Sequence, residues 1–203
     1  MRRLAKLASI YEKVADLEWT TFSTVPVDLI CQSVAEWKNP EDIAVDYAGI
    51  SGQDNLDDRR NRYHCVESWR YAILLYCRRV FRNRQDTESL RAIDYLAREI
   101  LDHVRCIPQT AVVQKQTLLP VFLAGAEAQD EAARRFALEY CRHWSSTAGY
   151  NMFATVGAML EDVWADWNAS TRELYWWGVK VNNNAQAASA SGVHLPISEF
   201  LLG

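Results

Sequence analysis

The sequence predicts an all-α fold: an array of packed antiparallel helical hairpins, with about seven helices. Three observations predict it. Apolar residues recur at helical spacing, most clearly at Ala133, Phe136, Ala137, Tyr140, Cys141 and Trp144, and again at Met152, Val156, Met159, Leu160, Val163 and Trp167. No stretch alternates apolar and polar residues for long enough to build a sheet. Helix breakers fall where the periodic runs end, at Asn39-Pro40, Pro108 and Gly149.

The elements follow in order. Residues 3–22 read as an amphipathic helix with Leu4, Leu7, Tyr11, Val14, Leu17 and Trp19 on one side. Residues 27–37 form a second helix, opened by Pro26. Pro40, Gly49 and Gly52 make 39–55 a loop. Residues 56–82 form a long third helix whose core stripe is Tyr63, Val66, Trp69, Ile73, Tyr76, Cys77 and Val80. Its first turn carries Asp57 and Asp58, and its end carries Arg78, Arg79 and Arg82, as the helix dipole favours. Residues 87–107 form a fourth helix with Leu90, Ile93, Leu96, Ala97, Ile100, Leu101 and Val104 inside.

Residues 118–128 are almost wholly apolar, which predicts burial on several sides, and Pro120 is tolerated in a first helical turn. Next come the two periodic helices, with Gly149 as the stop of one and Asn151 as the cap of the other, joined as an antiparallel hairpin. Residues 172–181, with Tyr175, Trp176 and Trp177, predict a last short helix. The run NNNAQAASASG at 182–192 reads as a linker, and 194–202 as an apolar segment able to dock back. The expected division is therefore a helical domain over 1–181 and a tail over 182–203.

Composition bounds the function. The chain has 203 residues, enough for one domain with a sizeable core. Its net charge of −4 gives no support to nucleic-acid binding. No apolar run approaches the ~20 residues that span a bilayer, and the basic N-terminus lacks the apolar run of a secretion signal. Five widely spaced cysteines, Cys31, Cys65, Cys77, Cys106 and Cys141, fit reduced thiols in an intracellular protein. The eight tryptophans serve a large core, or alternatively an aromatic pocket or partner surface. Trp69, Tyr76, Phe136, Trp144 and Trp164 are expected to be buried.

Candidate chemistry is sparse. Asp57-Asp58-Arg59-Arg60-Asn61 is similar to the aspartate-rich magnesium motif of terpene cyclases but lacks its last acid. Asn151 and Thr155 fit a second metal motif, whose third position is Met159, which cannot ligate magnesium. The histidines His64, His103, His143 and His194 show no HxxxH or HExxH spacing. His103 and Cys106 stand one turn apart, but two ligands are not a zinc site. His64-Cys65 and Cys141-x-His143 are neighbours that point different ways on a helix. No GxSxG, GxxxxGK[ST] or GxGxxG occurs. The reading is therefore of a non-enzyme with no catalytic, cofactor-binding or metal residues.

Residues 59–84 carry eight arginines and one acid, Glu67. They offer a surface for an acidic partner, or a solvated face neutralised by Glu88, Asp94, Glu99 and Asp102 of the next helix. With so many of that helix's positions claimed by the core, no specific DNA binding by this chain alone is expected.

Three segments carry a family resemblance: LLPVFLAGAEA at 118–128, the paired Arg134-Arg135, and NMFATVGAMLEDVWADWN at 151–168, with weaker agreement over RYHCVESWRYAILLYCRRVF at 62–81. The chain resembles the fungal-specific transcription factor domain, the helical regulatory region that follows the Zn2Cys6 cluster in fungal regulators. The resemblance implies an all-helical domain of a nuclear protein, working through protein partners, self-association or a small-molecule effector, with no catalytic residues. The zinc cluster needs CxxC pairs, and this chain has none. The DNA-binding module is thus expected elsewhere in a longer regulator, or lost. The alternatives are a stand-alone helical interaction protein, and a small-molecule binder or enzyme whose site assembles in space.

Overall fold

The longest periodic run folds as one helix, and the others pack around it and around a short apolar helix at the centre. The computed structural model describes residues 25–39, 53–81 and 87–169, together with Leu4, Lys6, Leu7 and Ile10. Those four positions are helical, and Leu4 is buried, in keeping with a helix at the start of the chain. The rest of that first helix, most of the 39–55 loop, Arg82, Arg84 and the elements expected after residue 169 lie outside the described residues. So does the side chain of Trp167.

Among the described residues there are six α-helices and one 3-10 helix, and no strand. They are α1 (Val25–Glu36), α2 (Gln53–Phe81), α3 (Thr87–Arg105), the 3-10 helix Val112–Thr117, α4 (Leu118–Glu127), α5 (Glu131–Ala148) and α6 (Asn151–Ala169). Helices α2 and α3 form one hairpin with the most extensive contact in the fold, and α5 and α6 form another. Helix α4 lies between the hairpins and touches α2, α3, α5 and α6. All ten of its residues are buried. That explains the unbroken apolar sequence: a helix covered on all sides has no polar face to show.

Local chemistry sets the ends. Pro120 falls in the first turn of α4, where its missing N–H costs nothing. The Asp130 carboxylate accepts from the Ala132 N–H at 3.2 Å and caps α5. Gly149 ends α5 with φ 69°, and its N–H donates to Ser145 O at 3.2 Å. Asn151 is the first residue of α6 rather than its cap, a shift of one position. Within α4, Gly125 lets α5 and α6 approach. A Cβ there would stand 3.2 Å from Ala137 Cβ and 3.1 Å from Leu160 Cδ2. The Gly125 carbonyl also accepts from Trp164 Nε1 at 3.0 Å.

Several expectations need correction. Tyr76, Trp144 and Trp164 are buried, but Trp69 and Phe136 are only half-buried at the core margin. The stripe assigned to α2 holds at Tyr76, Cys77 and Val80, which are buried, but not at Val66. Val66 is 37% exposed, whereas Cys65, Ser68, Ala72 and Leu75 are buried, as are the charged Glu67 and Arg79. The reason is that α2 is packed by α1, α3, α4 and the 3-10 helix, so its inner surface is wider than one stripe. Polar groups occupy part of that surface because they find partners there. Phe153, outside the apolar stripe assigned to its helix, is buried beside Tyr140 and Trp144. The 3-10 helix Val112–Thr117 fills the stretch between Pro108 and the apolar run, where periodicity predicts no element.

Candidate functional site

Three buried polar arrangements stand out among the described residues. The first joins α2 to α3. His64 of α2 and His103 of α3 face each other through their Nδ1 atoms at 2.9 Å. One ring must carry the proton that the other accepts. Tyr71 stacks on His103 at 5.6 Å between ring centroids, and Tyr63 meets both imidazoles edge-on. The buried Glu67 carboxylate accepts from Arg70 Nε at 2.7 Å and from Asn39 Nδ2 at 3.1 Å, which ties the segment after α1 to α2. Burial holds the His64 imidazole below its usual range, helped by the charges of His103 and Arg60 and opposed by Glu67. Burial likewise lowers His103, against the pull of Glu67, Glu99 and Asp102.

The second centres on Gln114 in the 3-10 helix. Its side-chain Nε2 donates to Ile107 O at 2.7 Å and its Oε1 accepts from Trp144 Nε1 at 2.9 Å. Its backbone carbonyl accepts from Thr117 Oγ1 at 2.7 Å and Tyr140 Oη at 2.9 Å. Gln114 thereby fastens the end of α3 to α5. The third is an ion pair, Arg79 Nε to Glu127 Oε1 at 2.9 Å, with both side chains at most 3% exposed. It crosses from α2 to the end of α4. Glu127 also lines a groove of about 440 Å³ between α3 and the α4–α5 turn, together with Asp94, Arg98, Asp102, Arg105 and Gln129.

The residues tested from sequence are not drawn into one site. Asp57 and Asp58 are exposed, with Asp57 4.0 Å from Arg60. Thr155 Oγ1 donates to Asn151 O at 3.1 Å within α6, and Met159 is in the core. His103 is half-buried and Cys106 exposed. His143 lies 3.3 Å from Gln109 O. Among the described residues no group of three or more His, Cys, Asp or Glu stands where it could hold a metal ion, and no helix is long and apolar enough to cross a membrane.

The acids of α3 do not all turn to the arginines of α2 as expected. Asp94 accepts from Gln129 Nε2 at 3.0 Å, and Asp102 pairs with Arg105 at 2.7 Å within its own helix. Arg79 finds its acid in α4 instead. Sequence reasoning missed the His64–His103 pair, the Gln114 node and the Arg79–Glu127 pair. Their partners are far apart in the chain, and only a buried polar residue amid apolar ones hints at them.

The described residues form a helical array closed around a buried central helix, with three polar arrangements that join one helix to another. The model of the fungal specific transcription factor domain matches residues 32–185, and the chain belongs to that family. It is also similar to the acriflavine sensitivity control protein acr-2 of Neurospora crassa, at 36% identity over 75 residues. That match takes in 34% of this chain and 12% of the relative. No solved structure matches. Membership of that family supports a role in transcription regulation.

Proposed function

We propose that this chain is a regulatory helical domain of a fungal transcription factor that does not itself contact DNA. It acts in the nucleus through protein contacts, self-association or an effector. The observation that carries this reading is the family match over 32–185, which runs from within α1 to past the end of α6. The arginines of α2 support the negative half. Arg79 is held inside by Glu127 and Arg70 lies over Tyr71 against Glu67, so they do not present one basic face.

Three assays test the reading. Tethered to a heterologous DNA-binding module, the full chain should raise or lower reporter output. A silent fusion would favour a stand-alone interaction protein. In a titration against a random duplex pool at ~150 mM salt, any binding should be weak, unselective and salt-sensitive. Enrichment of one sequence motif at submicromolar protein would refute the non-contacting role. A metabolite that raises the melting temperature in step with its concentration would support the effector reading.

A further inference from the structure

We propose that His64 and His103 form an acid-sensitive latch between α2 and α3, which holds the hairpin closed at neutral pH and releases it as protons are added. The inference rests on the regulatory reading only for its biological use; the latch itself is a property of the folded chain.

The two Nδ1 atoms approach to 2.9 Å. At that distance one N–H must point at one lone pair. In the neutral pair the donor ring carries its proton on Nδ1, and the acceptor ring carries its own on Nε2. A first added proton settles on the donor ring's Nε2. The hydrogen bond survives and becomes charge-assisted, but a cation now sits half-buried, with the charge of Arg60 acting on His64 and that of Arg70 on His103. A second proton has only the accepting Nδ1 lone pair to take. Two N–H groups and two positive charges would then face each other across the same gap, and the contact must open.

The surroundings do not absorb these charges. On α2, the Glu67 carboxylate is already engaged by Arg70 and Asn39. Arg60 and Arg70 add positive charge on the same helix, and Tyr63 and Tyr71 are neutral. On α3, Glu99 and the Arg105-paired Asp102 pull on His103 together with Glu67, but burial outweighs them. Among the described residues after α1, the uncharged Asn39 reaches Glu67. Opposing these acids, burial holds both imidazoles below the usual histidine value of 6.5.

The sign follows. A base whose folded value is depressed is less protonated in the folded chain than in the unfolded one. Its contribution to stability is complete above the unfolded value near 6.5 and is lost as pH falls below it. Because α2 and α3 share the most extensive helix contact in the molecule, loosening it alters the face that both helices present.

The test uses the full chain. Thermal unfolding is followed between about pH 7.5 and about pH 5.5 for the wild type and for His103→Asn, whose amide keeps a donor near the Nδ1 position and cannot be protonated. The melting temperature should fall roughly twice as far in the wild type as in the variant. Equal falls would overturn the latch.

Nitrogen-15 spectra of the wild-type imidazoles give a second reading that does not depend on the variant folding. At neutral pH one Nδ1 should be protonated and the other bare, and both rings should titrate below 6.5. Two bare Nδ1 atoms, or titration at or above that value, would overturn the proposal. Neither readout involves transcription, so a silent reporter fusion would leave the latch standing, and a failed latch would leave the regulatory reading standing.

Discussion

Truncating Trp144 to alanine should be among the most damaging single changes in the molecule. The indole is 5% exposed and lies against Phe153 at 6.4 Å between ring centroids. Its Nε1 donates to the buried Gln114 Oε1 at 2.9 Å. Removal of a buried large aromatic costs about 3–5 kcal/mol through lost transfer energy and the cavity left behind. Part of that is the orphaned Gln114 oxygen, which loses a partner in a place water does not reach, worth about 1–3 kcal/mol. Trp144→Phe keeps most of the ring and loses the hydrogen bond, so it should cost about 1–3 kcal/mol.

Urea unfolding followed by far-ultraviolet circular dichroism measures both variants, and the slope with denaturant should stay constant. For a chain of this length the alanine variant should melt about 6–20 °C lower, at about 2–4 °C per kcal/mol. Adding Gln114→Met to Trp144→Phe removes both partners and should give a coupling of about 0.5–3 kcal/mol in a double-mutant cycle. A loss below ~1 kcal/mol for Trp144→Ala would refute the burial argument and place the ring at a surface. Zero coupling would refute the role given to Gln114.

Gly125→Ala should destabilise by about 1–2 kcal/mol, because Ala137 Cβ at 3.2 Å has no rotamer by which to withdraw, whereas Gly157→Ala meets nothing nearer than Cys141 Cβ at 3.5 Å and should gain up to about 0.5–1 kcal/mol. Chemical denaturation of the pair should show opposite signs. Arg79→Met should cost about 3–5 kcal/mol by stranding the buried Glu127 carboxylate, and Arg79→Met with Glu127→Leu should recover most of it. A double variant no better than the single one would show that the pair does more than neutralise itself. Pulsed alkylation read by mass spectrometry should label the exposed Cys106 first and spare Cys65, Cys77 and Cys141 until unfolding. Burial pushes the Cys141 thiol up to about 12, so raising the pH to 9 should not release it.

Among the described residues, the helices were legible in the sequence, though α2 begins at Gln53, inside the stretch that reads as a loop. Periodicity alone distinguishes a helix with one buried face, as in α3 and α5, and Pro108 and Gly149 mark stops through fixed backbone chemistry. The apolar run of α4 likewise announced a helix covered on every side. The family resemblance lay in those same packing residues, which is why it indicated a fold and a class rather than a site.

Only the tertiary structure decided which face of α2 is inner, because four elements cover that helix and the polar Glu67, Ser68 and Arg79 are tolerated inside once they are partnered. It alone brought His64 to His103, 39 positions apart, and Gln114 to Trp144, 30 apart. Periodicity reports how much of a helix is apolar. Which polar group meets which depends on where two helices cross, and neither helix encodes that by itself.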